Sequence, residues 1–135
     1  MLEKECIQSR GFRNVAEGTA VVGFQLAIRS LYYRGVWLSQ LRPATVIVDG
    51  ETFEGDQVRW TIGGKTYAQE ELSQHGDINW QLLEPAILTV NKAGGLAQGM
   101  HDVEVKYTYS ASYMPPEMDD LFGRMAVHKR RLVLV

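Results

Sequence analysis

The chain contains a single cysteine, Cys6, so no intramolecular disulfide can brace it. None is needed, because a chain of 135 residues buries roughly two thirds of its unfolded surface. A basic surplus is also missing. With 14 lysines and arginines against 16 aspartates and glutamates, the formal net charge is −2. Nucleic acid is ordinarily met by a basic face, so no nucleic-acid partner is expected. No stretch approaches the roughly 20 apolar residues that cross a bilayer. The charged opening Met1-Leu2-Glu3-Lys4-Glu5 lacks the apolar run of a secretory signal. Membrane association is therefore not expected, and a reduced cytoplasmic setting fits. Clustered metal ligands are absent too. His75, His101 and His128 form no His-x-His or His-x-x-x-His pair, and Cys6 lies far from all three, so no sequence-local metal site is expected.

What is present is apolar content, 45% of residues, arranged with a period of two. In Val22–Arg29 the large apolar residues fall on alternate positions, which gives a strand one dry face and one wet face. In Asp102–Tyr109 the residues Val103, Val105, Tyr107 and Tyr109 share one face. Asp102, Glu104, Lys106 and Thr108 share the other. Turn chemistry agrees. Asp49-Gly50 follows Val46–Val48, and Gly63-Gly64 separates Arg59–Ile62 from Lys65–Tyr67; both pairs suit the type I′ turn of a hairpin. Ala86–Val90 reads as a further strand. The terminal Arg131–Val135 is so apolar that it should be paired in a sheet or covered by a partner. The expected fold is all-β, an antiparallel sandwich of jelly-roll type spanning 1–135 as a single domain.

Two segments break the alternation. Within 68–84, Gln69–Leu72 and Trp80–Leu83 each suggest one helical turn. Within 110–126, Pro115-Pro116 forbids a ladder strand, so a long loop is expected with a helical turn after it.

Groups for chemistry are sparse. His101 and Asp102 are neighbours, but adjacent strand residues point to opposite faces, so His101 reads as a turn histidine entering a strand. Nothing near Cys6 would activate a thiolate, and a buried structural thiol is the expectation. Gly63-Gly64-Lys65-Thr66 imitates the end of a phosphate-binding loop, yet Arg59 occupies the position of the first glycine and a hairpin follows where a helix is required. Glu70-Glu71 and Asp119-Asp120 read as solvated surface. No catalytic residue, metal ligand or cofactor site is assigned to this chain.

The informative stretches are aromatic. Arg29–Arg42 packs Tyr32, Tyr33 and Trp37 with Arg29, Arg34 and Arg42 into a connection between strands. Tyr, Trp and Arg dominate interface hot spots because each joins apolar area to a polar tip. At least one of Tyr33 and Trp37 is expected in the core. A second stretch, Ser110–Pro116, sets Tyr113 and Met114 against the stiff Pro115-Pro116 pair, a preorganised apolar loop suited to covering a pocket or docking a partner.

Several runs together carry a family likeness: Glu3–Ile7, Gly11–Val15, Tyr32–Leu41, Trp60–Tyr67, Gly99–Val105 and Ser112–Pro116. Over almost its whole length the chain resembles the small (β) subunit of bacterial C-glycoside deglycosidases. The resemblance implies a β-sandwich bound to a large TIM-barrel subunit. That partner would hold a divalent metal, typically manganese, together with the acid–base residues. The complex would cleave the carbon–carbon bond of an aromatic, flavonoid-type C-glycoside whose sugar is already oxidised at the 3-hydroxyl. Tyr32, Tyr33, Arg34, Trp37, Tyr113, Met114 and Pro115 are the residues expected to face that partner and to help wall the aglycone pocket. Two other readings compete. A free-standing carbohydrate-binding sandwich would bind glycosides unaided, and a small cupin-like enzyme would hold its own metal.

Overall fold

Alternation builds two facing sheets. The computed structural model describes residues 2–30, 36–81, 83–107 and 127–134. Along the chain these form β1 (Arg13–Glu17), β2 (Ala20–Ile28), β3 (Val36–Trp37), β4 (Thr45–Val48), β5 (Glu51–Phe53), β6 (Val58–Ile62), β7 (Lys65–Ala68), β8 (Asn79–Trp80), β9 (Ala86–Asn91), β10 (Gly99–Lys106) and β11 (Val127–Leu134). Short 3₁₀ turns occupy Leu38–Gln40, Gly55–Gln57 and Gln69–Gln74. One sheet runs β1-β2-β9-β6-β7, the other β11-β10-β4-β5, and β3-β8 makes a small ribbon. Every pairing is antiparallel.

The core is the set of side chains the period of two sends inward. From the first sheet come Phe24, Leu26, Ile28, Val58, Trp60, Ile62, Leu88 and Val90. From the second come Val46, Val48, Phe53, Val103, Val105, Leu132 and Leu134; all are buried. Each such side chain contributes about 1.5–3 kcal/mol on leaving water. Rings bridge the layers: Phe24 meets Phe53 edge-on with centroids 5.4 Å apart, and Trp60 meets Tyr107 at 6.0 Å. The all-β antiparallel sandwich is therefore observed.

Both expected hairpin turns form. Asp49 and Gly50 have φ of 50° and 88°, and Gly63 and Gly64 of 63° and 84°, the positive pair that a type I′ turn requires. Gln69–Gln74 is helical as expected, in 3₁₀ form. Other boundaries differ. The 102–109 strand begins earlier, at Gly99, and its described part ends at Lys106. The terminal strand starts at Val127 and pairs with β10 along the edge of its sheet.

Trp80–Leu83 corrects the sequence reading. Trp80 is not helical but pairs with Val36 in the β3-β8 ribbon. Its indole is drawn into the core against Trp60 at 5.8 Å and donates from Nε1 to the Glu84 carbonyl at 2.6 Å, so tertiary burial overrides the local spacing. The expected loop at 110–126 lies outside the described residues.

Candidate functional site

One end of the sandwich gathers the connections. Ile28, the last residue of β2, pairs with Ala86, the first of β9. The Tyr107 hydroxyl, just beyond β10, donates to the Arg29 carbonyl at 3.3 Å. The β2–β3 connection, the β8–β9 turn and the β10–β11 connection therefore all depart from this end. Its base is aromatic. Tyr107 lies 6.0 Å from both Trp60 and Trp80 and 5.7 Å from His128. Burial keeps the His128 imidazole below its ordinary pKa of 6.5, which favours a neutral ring. Cys6 lies buried beside this base, its Sγ 3.7 Å from the Arg29 carbonyl. Burial pushes its thiol up to about 12, against the opposing effect of the Tyr107 hydroxyl. A structural thiol is what the sequence predicts and what is found.

Exposed apolar side chains lie on or beside each of these connections, and Met100 and Val133 are exposed at the opposite end. Val36 is buried while its neighbour Trp37 is 45% exposed, as alternation within β3 requires. The Trp37 backbone N–H is held by Gln40 Oε1 at 3.0 Å. Leu83, 80% exposed, sits in a turn closed by the Glu84 N–H on the Gln81 carbonyl at 3.1 Å. Val127, 37% exposed, opens β11 opposite Lys106. Exposed large apolar groups held in place before binding lower the entropic cost of docking, which makes this end a candidate association surface.

Of the residues expected to face a partner, Trp37 is the one described, and it is exposed. Tyr32, Tyr33, Arg34, Tyr113, Met114 and Pro115 lie outside the described residues. The residues bordering them, Ser30 and Val36, Tyr107 and Val127, all belong to this end. Arg29 turns inward: its Nη1 donates to the Glu3 carbonyl at 3.0 Å. Sequence reasoning missed Leu83 and Val127, whose apolar character there is indistinguishable from that of core residues.

Polar chemistry concentrates elsewhere. At the opposite end, the His101 Nδ1 lies 2.6 Å from Asp49 Oδ2 and its Nε2 2.6 Å from the Ala97 carbonyl. Asp102 does face the other side of β10, as alternation predicts, and accepts from Arg131 Nε at 2.8 Å. Among the described residues no group of three or more His, Cys, Asp or Glu side chains converges as a metal site. Gly63–Thr66 is a hairpin turn entering β7, which confirms that it is no phosphate loop. No helix among the described residues is long and apolar enough to cross a membrane.

Comparison with known proteins bears on the association surface. A family model described as "C-glycoside deglycosidase beta subunit" matches residues 2–113. A protein of that name from Eubacterium cellulosolvens is 46% identical over 120 residues, covering 88% of this chain and 82% of the relative. Another of the same name, from Arthrobacter globiformis, is 23% identical over 114 residues, covering 83% and 86%.

Proposed function

The chain belongs to the C-glycoside deglycosidase beta subunit family, and on that premise we propose that it is the small, non-catalytic subunit of a heteromeric C-glycoside deglycosidase. In this reading the loop-bearing end docks a large TIM-barrel subunit in the cytoplasm and helps wall its aglycone pocket. The observation that supports the docking face is that exposed Trp37, Leu83 and Val127 lie on or beside the three connections of this end, two of which carry Tyr32–Arg34 and Tyr113–Pro115 in sequence.

The large subunit would contribute the acid–base residues and a divalent metal, manganese in this reading, which would supply Lewis-acid chemistry. The substrate is a 3-oxo-C-glycoside of flavonoid type. Its keto group acidifies the C2 proton. A base takes that proton, a C1=C2 double bond forms as the C1–aglycone bond breaks, and an acid gives a proton to the departing aglycone carbon. The role of the small subunit is to hold the apolar aglycone side of the site in shape. Its own closest described histidine–carboxylate pair, His101–Asp49, has both ring nitrogens engaged by acceptors and lies at the far end of the sandwich.

Co-expression with the large subunit and size-exclusion chromatography tests the reading. The two chains should co-elute, with deglycosylation of a 3-oxo-C-glycoside only in the co-eluting fraction. Removing a central interface tryptophan typically costs 2 kcal/mol or more, roughly 30-fold in affinity, so Trp37→Ala should weaken assembly by that order. Chains that elute separately, or Trp37→Ala and Tyr113→Ala variants with unchanged assembly and turnover, would refute it. Glycoside binding by the isolated chain would favour the carbohydrate-binding module instead.

A further inference from the structure

His101 faces inward from β10, 8% exposed, with an acceptor at each ring nitrogen. Asp49 Oδ2 lies at Nδ1 and the Ala97 carbonyl at Nε2, both at 2.6 Å. A neutral imidazole has one N–H and one lone pair. A lone pair aimed at an oxygen 2.6 Å away repels it, so both contacts are satisfied only when both nitrogens carry protons. The surroundings suit a cation. Asp49 comes from the β4–β5 turn, and its Oδ1 also accepts the Asp102 N–H at 2.8 Å. Arg131 on β11, whose positive charge opposes an imidazolium, is engaged by Asp102 and also acts on Asp49. The N-terminal side presents the uncharged edge of Phe12, its centroid 6.0 Å away, and the 94–98 loop presents uncharged Leu96, Ala97 and Gln98.

We propose that His101 is a pH-sensitive latch, which as an imidazolium ties the Asp49–Gly50 turn to the 94–98 loop and on losing a proton releases Ala97. Ala97 is the contact that breaks because a carboxylate holds an N–H more strongly than a neutral carbonyl does, so the remaining proton stays on Nδ1. The Nε2 lone pair then opposes the Ala97 oxygen. Leu96 keeps its place, since its N–H and carbonyl both bond the Asn14 side chain at 2.9 and 3.0 Å. The released segment is Ala97–Gln98, hinged at Gly99, whose φ of 123° suits glycine. Burial alone would lower the His101 pKa, but the Ala97 carbonyl and the Asp49 carboxylate together outweigh it and raise it above 6.5.

NMR titration of the full chain, labelled with ¹⁵N, is the test. Both ring nitrogens of His101 should be protonated at pH 6, with a titration midpoint above 6.5. The Ala97, Gln98 and Gly99 amide signals should shift with that same midpoint, while the Trp80 indole N–H at the far end does not follow it. In Asp49→Asn the His101 midpoint should fall, because the carboxylate is gone. A singly protonated ring at pH 6, or amides at 97–99 that ignore the titration of His101, would overturn the proposal.

Discussion

The Trp60 indole Nε1–H donates to Gln69 Oε1 at 3.1 Å, and through this contact the middle of the first sheet is tied to the start of a 3₁₀ turn. Gln69 spends its whole amide this way. Oε1 also accepts the Ala44 N–H at 2.5 Å, and Nε2 donates to the Ala44 and Gly55 carbonyls at 3.0 and 3.2 Å. One side chain at the exit of β7 thereby joins the segments that enter β4 and β6.

Gln69→Ala should destabilise the fold by about 3 kcal/mol, since each orphaned buried polar group costs about 1–3 kcal/mol and Trp60 and Ala44 are both buried. Urea denaturation of the variant, of Trp60→Phe and of the double variant gives the coupling. Losses that simply add, within about 0.5 kcal/mol, would mean that the two side chains do not act together.

The Asp49–His101 pair should impose a pH window on stability. The folded His101 pKa is raised above 6.5, so its contribution is complete below 6.5 and fades as pH rises through the folded value. The folded Asp49 pKa is lowered below 3.8, chiefly by the His101 contact and then by the Asp102 N–H. Its contribution is complete above 3.8 and fades as pH falls through the folded value. Asp49→Asn keeps a residue that tolerates the φ of 50°, so wild type minus variant isolates the pair from Glu3 and His128. That difference should be greatest between about pH 4 and 6.5 and shrink on either side. A difference that stays flat from pH 3 to 9 would contradict the ion pair.

At Gly23 the neighbouring strand leaves no room. A Cβ there would lie 2.0 Å from the Val90 carbonyl oxygen and 3.0 Å from its carbon. Both are backbone atoms of β9, so relief requires the strands to part. Gly23→Ala should cost about 1–3 kcal/mol, the usual range for forced overpacking, and should lower Tm. An unchanged Tm would show that β2 and β9 have slack at this point.

Cys6 should be inert in the folded chain. With its thiol pushed up to about 12 by burial, almost no thiolate exists at pH 8. Alkylation by iodoacetamide should therefore await unfolding and accelerate through the urea transition. Labelling of the native protein at the rate of a free cysteine would contradict the burial.

Much of this architecture is legible in the residues. The alternation of Val103 and Val105 with Asp102 and Glu104 assigns each side of β10, and it is realised: the valines are buried while Asp102 and Glu104 meet Arg131 and Lys129 at 2.8 and 3.4 Å on the outer face. Asp49-Gly50 and Gly63-Gly64 announce their turns because positive φ is a local demand. The association end is partly legible. Trp37 stands out by residue type, but Leu83 and Val127 do not, because exposure is a property of what surrounds a side chain.

Strand β1 went unread for a related reason. Arg13–Glu17 is an edge strand with a bulge between Val15 and Ala16, and neither of its faces is buried, so its side chains carry little alternation. Trp80 misled in the other direction: its spacing from Leu83 imitates a helical turn, while the indole is claimed by Trp60 and Tyr107.

The sequence by itself determined the strand period, the tight turns, the unassisted core and the family, because each depends on neighbouring residues or on the pattern of the whole chain. Only the tertiary structure decided that Asp49 would meet His101 fifty-two residues away, and that three loops would leave from one end over a shared aromatic base. The first contact arises because β4 pairs with β10 within one sheet, the second where the two sheets close on each other, and sequence separation carries no trace of either.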